Sequence, residues 1–391
     1  MTGRERFLKV MDGEKVDRVP VTLFIQGQGH FISQMYPEVD PWDFETIQTK
    51  VIEIQRQIGV DPFVRMLFFD QDEPMLLTMG GLNIYCESDN WEVTTKEIHK
   101  GDTLIKKSTI RTPEGTLTQD FSINTIREGT LMYACTEKPI KNMRDLEIAS
   151  KYEPPISDSV KKKMKKIVSN LKKVMGEDGL IGAWTPGGLF NNISTLIDHT
   201  ELYSLFITDY AFYKGLMEFA MKRVSDVTSA MEASGIDAFC IGGNVAGGFL
   251  GARFFEEYVL PFEKEYIAFC QRNGIPVIYH NCGELMNLVG SYKQLGCKVV
   301  EPFSPAPLGD GDLVKAHEIV NQAYTITGGV DQVNVLKNGT VDLVKEVTER
   351  TIQQGKLIER FILQSADFLE YGTPLENLQA YCDTAMSLAK Y

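Results

Sequence analysis

Short apolar runs, each ending in a Gly-, Pro- or acid-containing loop, recur along the chain and constrain its fold more than any other feature. They are RVPVTLF (18–24), DPFVRM (61–66), LIGAW (180–184), IDAFCIGG (236–243), IPVIYH (275–280), CKVVEP (297–302), AYTITGGVD (323–331) and RFILQSAD (360–367). Runs this short and uniformly apolar read as strands buried on both faces, as in a parallel sheet. Amphipathic helices are expected between most of them. One, at 254–273, places Phe255, Val259, Phe262, Tyr266 and the segment 268–270 near one face, and another spans 284–296 and stops at Gly296. The last helix opens GTPLENL, which predicts Thr373 as N-cap, Pro374 at the first helical position and Glu376 closing a capping box. About eight strand-helix alternations predict an α/β fold, a (β/α)8 TIM barrel, whose functional residues sit at the C-terminal strand ends.

One stretch breaks this rhythm. Between about residues 81 and 130, WEVTTKEI, TLIKKSTIRT and GTLTQDFSI alternate apolar with polar residues around a TPEG turn at 112–115. Alternation at period two predicts an inserted antiparallel β segment, placed to cap one end of the barrel. No linker or repeat interrupts the 391 residues, so one elaborated domain, 1–391, is expected.

The formal net charge of -13 argues against nucleic acid as a partner, because binding phosphates requires clustered Lys and Arg. The basic run KKKMKK at 161–166 reads as the solvated face of a helix. The first residues carry no apolar signal-peptide core, and no run approaches the roughly 18 apolar residues of a membrane span, which predicts a cytoplasmic protein without a membrane partner. The seven cysteines are scattered and odd in number, so buried free thiols are the default and a ligand needs special context.

His280 and Cys282, in GIPVIYHNCGEL, have that context at the exit of a barrel strand. One residue between them lets both side chains point to the same side of an extended segment, as two ligands of one ion require. Glu301 and Asp367 end later strands on the same expected rim. One imidazole, one thiolate and two carboxylates suffice for tetrahedral zinc, or for three ligands and an open position, and a mixed nitrogen, sulfur and oxygen set favours zinc. Two other readings stand beside this one: a nucleophilic Cys282 with His280 as base, and a packed histidine beside a thiol.

The opening RERFLKVMDGEKVDRVPV, the block from GIDAFCIGGNVAGGFLGARFF to GIPVIYHNCG, and the tail ITGGVDQVNVL with GTPLENLQAY resemble the uroporphyrinogen decarboxylase superfamily over nearly the whole chain. The resemblance implies a (β/α)8 barrel and one of two activities, decarboxylation or zinc-dependent methyl transfer serving corrinoid proteins. The decarboxylases carry arginine in the loop after the first strand, whereas FIQGQGHFISQMYPE (24–38) has none to grip a polycarboxylate. The methyltransferase branch is similar at His280 and Cys282, with Asp367 at or next to the position of that branch's terminal cysteine. Cobalamin-independent methionine synthase resembles the order His-x-Cys, then Glu, with Glu301 in that place.

EPFSPAPLGDGDL (301–313) followed by GGVDQ (328–332) resembles methyltransferases that remove O-methyl groups from methoxylated aromatics. The resemblance thus implies Zn2+, a corrinoid (cobalamin) carried by a partner protein, and a small methylated substrate. A decarboxylase, or transfer from a methylcorrinoid protein to a thiol such as coenzyme M, is the alternative. For substrate contact the expectation falls on Phe24, His30, Trp184, Asn244 and Asp331. Phe31, Met66, Phe68, Phe69 and Phe190 also lie near strand ends, where they serve an apolar pocket or ordinary core packing. Gly247 and Gly248, after Asn244, allow close approach of a partner or form a tight turn.

Overall fold

The structure, a computed structural model, describes residues 1–26, 30–68, 80–127 and 130–391. Its strands are β1 (Phe63–Met66), β2 (Glu92–Lys100), β3 (Thr103–Thr112), β4 (Gly115–Arg127), β5 (Thr130–Glu137), β6 (Leu180–Trp184), β7 (Ala238–Gly242), β8 (Val277–His280), β9 (Val299–Glu301), β10 (Thr325–Val330) and β11 (Phe361–Ser365). Seven of them form one parallel sheet in the order β1-β6-β7-β8-β9-β10-β11, so chain order equals spatial order, as in a TIM barrel.

The expected first strand, 18–24, contributes a single parallel bridge, Val21 to Leu363. Around it, Thr22 N–H donates to Leu363 O at 2.9 Å and Leu363 N–H to Pro20 O at 3.0 Å. Pro20 has no N–H to extend the ladder, which keeps this segment short. On its other flank the buried amide of Gln55 spans the seam to β1, donating to Leu23 O at 2.8 Å and Phe63 O at 3.3 Å and accepting from Phe63 N–H at 3.0 Å. The ring therefore closes partly through a side chain.

The N-terminal end of the barrel is stoppered. Helix Gly3–Met11 begins with a capping box between Thr2 and Glu5. It sends Phe7, Val10 and Met11 into one buried cluster with Phe63, Leu180, Ala238, Cys240, Ile278, Val299 and Ile362 from six of the strands. Asp61 clamps this end, accepting from Arg6 at 2.9 Å, from Arg18 at 2.7 Å through each oxygen, and from Val21 N–H at 3.0 Å.

At the opposite end, β2 to β5 form the expected antiparallel sheet, with β3 and β4 joined at the TPEG turn. Phe121, Ile123 and Cys135 of that sheet pack with Leu67, just past β1, and with Trp184 at the end of β6. The insertion thus sits on the C-terminal side of the barrel, and it runs on to Glu137, beyond the expected limit near 130.

Three local expectations are corrected. The final helix is Leu375–Leu388 with Pro374 as N-cap and no side-chain cap, because it begins one residue late and leaves Thr373 outside the cap position, where its hydroxyl donates to Glu370 O. In 284–296 only Val289–Tyr292 is helical; the Asp310 carboxylate holds the N–H groups of Leu285 and Met286, and turns flank the single helical turn. In 254–273 a π-helical turn, Phe255–Val259, precedes helix Leu260–Gln271, and Glu263 is on the buried face while Ala268 is exposed. The basic run lies in helix Asp158–Met175, which buries Met164, Ile167, Val168, Leu171 and Met175. Among the described residues no helix is long and apolar enough to cross a membrane.

Candidate metal centre

β8 ends at His280 and β9 at Glu301, and the two are paired in register. The residue between the candidate ligands faces away: Asn281 N–H donates to Glu301 O at 2.7 Å, and its side-chain amide to the Tyr292 hydroxyl at 2.6 Å. His280 and Cys282 therefore share the lumenal side, as alternation requires. Asp367 arrives from two residues past β11. One ligand atom each from His280, Cys282 and Asp367 lie within 4.8 Å of one another. His280 is buried, whereas Cys282 and Asp367 are half-buried. The other six cysteines are all buried, and Cys282 is the one half-buried cysteine.

Glu301 stands apart from that trio. Its Oε1 lies 3.3 Å from His280 Nδ1, and its Oε2 accepts from Arg65 Nη2 at 2.6 Å and from Gln364 Nε2 at 3.2 Å. Expected beside the ligands, Glu301 is found behind the histidine, which leaves Nε2 as the nitrogen free for an ion. A carboxylate on the far nitrogen of a ligating histidine fixes its tautomer and orientation. Burial opposes charge on His280, but hydrogen bonds to Cys282 and Glu301 and the nearby charge of Asp367 outweigh it and raise its pKa. Burial likewise works against ionised Glu301, yet the Arg65 charge and the His280 contact hold its pKa below the usual carboxylate range. Burial dominates at Asp367 and raises its pKa, against the pull of His280 and of the Phe368 N–H that donates to Oδ1 at 2.7 Å.

The walls above this cluster are aromatic. The edges of Trp184 and Phe24 meet His280 at ring-centre distances of 5.3 and 6.0 Å, and the two rings stack on each other at 6.2 Å. Phe368 adds an edge to Phe24 at 6.3 Å, and His30 lies on Phe368 at 4.4 Å. Of the residues expected to contact substrate, the structure thus gathers Phe24, Trp184 and His30 near the cluster.

Asn244 sits farther out in the loop after β7, where its Oδ1 accepts from Asn191 Nδ2 at 2.7 Å. Asp331, past β10, uses both oxygens locally: Oδ1 caps Val333 and Asn334 N–H at 2.7 Å each, and Oδ2 accepts from Asn334 Nδ2 at 2.7 Å. Gly247 and Gly248 belong to tight 3-10 turns. Phe31, Met66, Phe68 and Phe190 are buried in the main hydrophobic core, and Phe69 lies outside the described residues.

Sequence reasoning missed Arg65, Gln364 and Phe368. The signal for Arg65 was present: a cation in the middle of the apolar run DPFVRM must find a buried acid. An imidazole, a thiol and a carboxylate converging at a strand-end rim make a donor set suited to zinc, which on binding displaces the protons that His280 and Asp367 otherwise hold more tightly than usual.

Comparison with known proteins agrees with this architecture. A methylated-thiol–coenzyme M methyltransferase of Methanosarcina mazei is 28% identical over 138 residues, which cover 35% of this chain and 34% of that protein. A methylcobamide:CoM methyltransferase of the same organism is 22% identical over 362 residues, covering 90% of each. The solved structure of a methyltransferase from Methanosarcina mazei superposes with a TM-score of 0.72 over 99% of both chains at 17% identity, which establishes a shared fold. The family description Uroporphyrinogen decarboxylase (URO-D) matches residues 96–388, well over half of the sequence, and the chain belongs to that family.

Proposed function

We propose that this protein is a zinc-dependent methyltransferase that moves a methyl group from a small methylated substrate, best an aromatic methyl ether, to the cobalt(I) corrinoid of a partner protein. The observation that carries this reading is the convergence of His280, Cys282 and Asp367 within 4.8 Å at the C-terminal mouth of the barrel. The two methyltransferase relatives, one named for a methylcobamide substrate, support corrinoid-linked chemistry over decarboxylation. So does a first loop without arginine.

His280, Cys282 and Asp367 would hold the ion. A bound Zn2+ supplies Lewis acidity toward an ether oxygen, or toward a thiol that it keeps as thiolate. The chain's own residues position everything else. Glu301 receives the Nδ1–H of His280 and keeps its ring in one orientation. Trp184, Phe24 and Phe368 give a flat donor apolar surface and exclude water beside the cluster. The half-buried Cys282 and Asp367 keep the site open toward the mouth, where a corrinoid protein has to dock.

A second reading, transfer from a methylcorrinoid protein to a thiol, is favoured by the coenzyme M named in both curated relatives. Metal analysis of native protein and of Cys282→Ala tests what the readings share. About one zinc per native chain, lost in the variant, is expected, and a zinc-free native protein sinks both. Assays with reduced corrinoid protein plus an aromatic methyl ether, and with methylcorrinoid protein plus a thiol, then separate them by which one turns over.

A further inference from the structure

We infer that Arg65 is a positioning residue for the metal centre: it fixes Glu301 as the hydrogen-bond acceptor of His280 and keeps that carboxylate from becoming a fourth ligand. The inference rests on reading His280, Cys282 and Asp367 as a metal site.

Arg65 is 3% exposed, on a strand whose other residues, Phe63, Val64 and Met66, are apolar. The middle of a TIM-barrel lumen ordinarily holds branched aliphatic side chains, so a guanidinium there needs a reason. Its Nη2 lies 2.6 Å from Glu301 Oε2 and 2.8 Å from Gln364 Oε1, while Gln364 Nε2 reaches the same Oε2 at 3.2 Å. These contacts form a closed triangle drawn from β1, β9 and β11. The guanidinium also lies over the rings of Phe24 and Phe63, at 4.3 Å from each centre. With Oε2 held on that side, only Oε1 is left, and it faces His280 Nδ1.

Moving Glu301 into the ligand set would strip a buried cation of its counter-charge, which is strongly unfavourable. Stability alone does not account for this arginine. Its Nε and Nη1 are buried with no hydrogen-bond partner among the described residues, a cost that an apolar side chain would not carry. What Arg65 supplies in return is a fixed orientation for Glu301, and through Glu301 for His280.

The test uses full-length native protein, Arg65→Lys, Arg65→Met, Glu301→Gln and the double variant Arg65→Met/Glu301→Gln. Zn2+ affinity is measured by competition with a chromogenic chelator, and visible absorption of the Co2+-substituted proteins reports ligand number. Arg65→Met leaves Glu301 as a lone buried charge, so where that variant does not fold, Arg65→Lys and the double variant carry the test. Lysine keeps the charge but lacks the planar fork. Both single arginine variants are expected to change Zn2+ affinity by about 10-fold or more, because His280 loses its support as Glu301 is released toward the ion. Their Co2+ spectra should shift toward higher coordination number. The double variant should bind no more weakly than Glu301→Gln alone, because Arg65 acts through Glu301. Arg65→Lys binding within about twofold of native with an unchanged Co2+ spectrum overturns the inference, as does a double variant markedly weaker than Glu301→Gln. Native protein without Zn2+ affinity overturns the metal site itself, so the two failures are distinguishable.

Discussion

At the scale of single residues, the candidate site turns on the identity of its third donor. Asp367 offers a carboxylate, a harder donor than the thiolate sulfur that Zn2+ favours. Asp367→Cys is therefore expected to tighten Zn2+ binding and Asp367→Asn to weaken it by an order of magnitude or more, both measured by chelator competition. A second residue-scale expectation concerns Glu263, which is fully buried against the Phe190 N–H at 3.2 Å. Burial pushes its pKa from the ordinary 4.5 up to about 8, against hydrogen bonds from Phe190 and Leu189 N–H. Between those values the folded protein holds a proton that the unfolded chain has released, so stability falls as pH rises through that window, by up to about 1.4 kcal/mol per unit. Urea denaturation at pH 5 and pH 8 should show this loss in native protein and a smaller one in Glu263→Gln. His280 and Cys282 were legible because their spacing fixes a shared side of an extended segment. Glu301 was legible as a rim acid but not as a partner of His280, because its role depends on an arginine some 236 positions earlier in sequence.

At the scale of elements, burial proved more legible than backbone. All eight apolar runs lie at barrel strands or at the short closing segment, since a strand covered on both faces has to be apolar throughout. The segment 284–296 shows the limit. Leu285, Leu288, Val289, Tyr292 and Leu295 are all buried, as their spacing requires, yet the backbone makes only one helical turn, with non-helical turns on either side of it. The last helix also departs from its motif, starting one residue late so that Thr373 precedes the cap position. Helix Gly3–Met11 matters beyond its length, since Phe7 is wholly buried among residues of the lumen. Phe7→Ala should cost about 3–5 kcal/mol in denaturant unfolding, with little direct effect on Zn2+ affinity, because the cavity opens at the end remote from His280.

At the scale of the whole molecule, an ion at His280, Cys282 and Asp367 would tie β8 to the segment after β11, elements that are not neighbours in the sheet. Ligand binding to the folded state alone stabilises it by about 2.7 kcal/mol when free Zn2+ is 100 times its dissociation constant. Chelator treatment should therefore lower the melting temperature by several degrees, and added Zn2+ should restore it; Cys282→Ala should melt at the same temperature with or without chelator. The stopper of Phe7, Val10 and Met11 has one more consequence, and it concerns order in time. A well sealed at its foot is filled and emptied from the top. If a bulky corrinoid protein closes over that opening, the small methyl donor has to be inside first and its demethylated product leaves last. Steady-state kinetics with both reactants varied should then follow a compulsory sequence, with the small molecule leading.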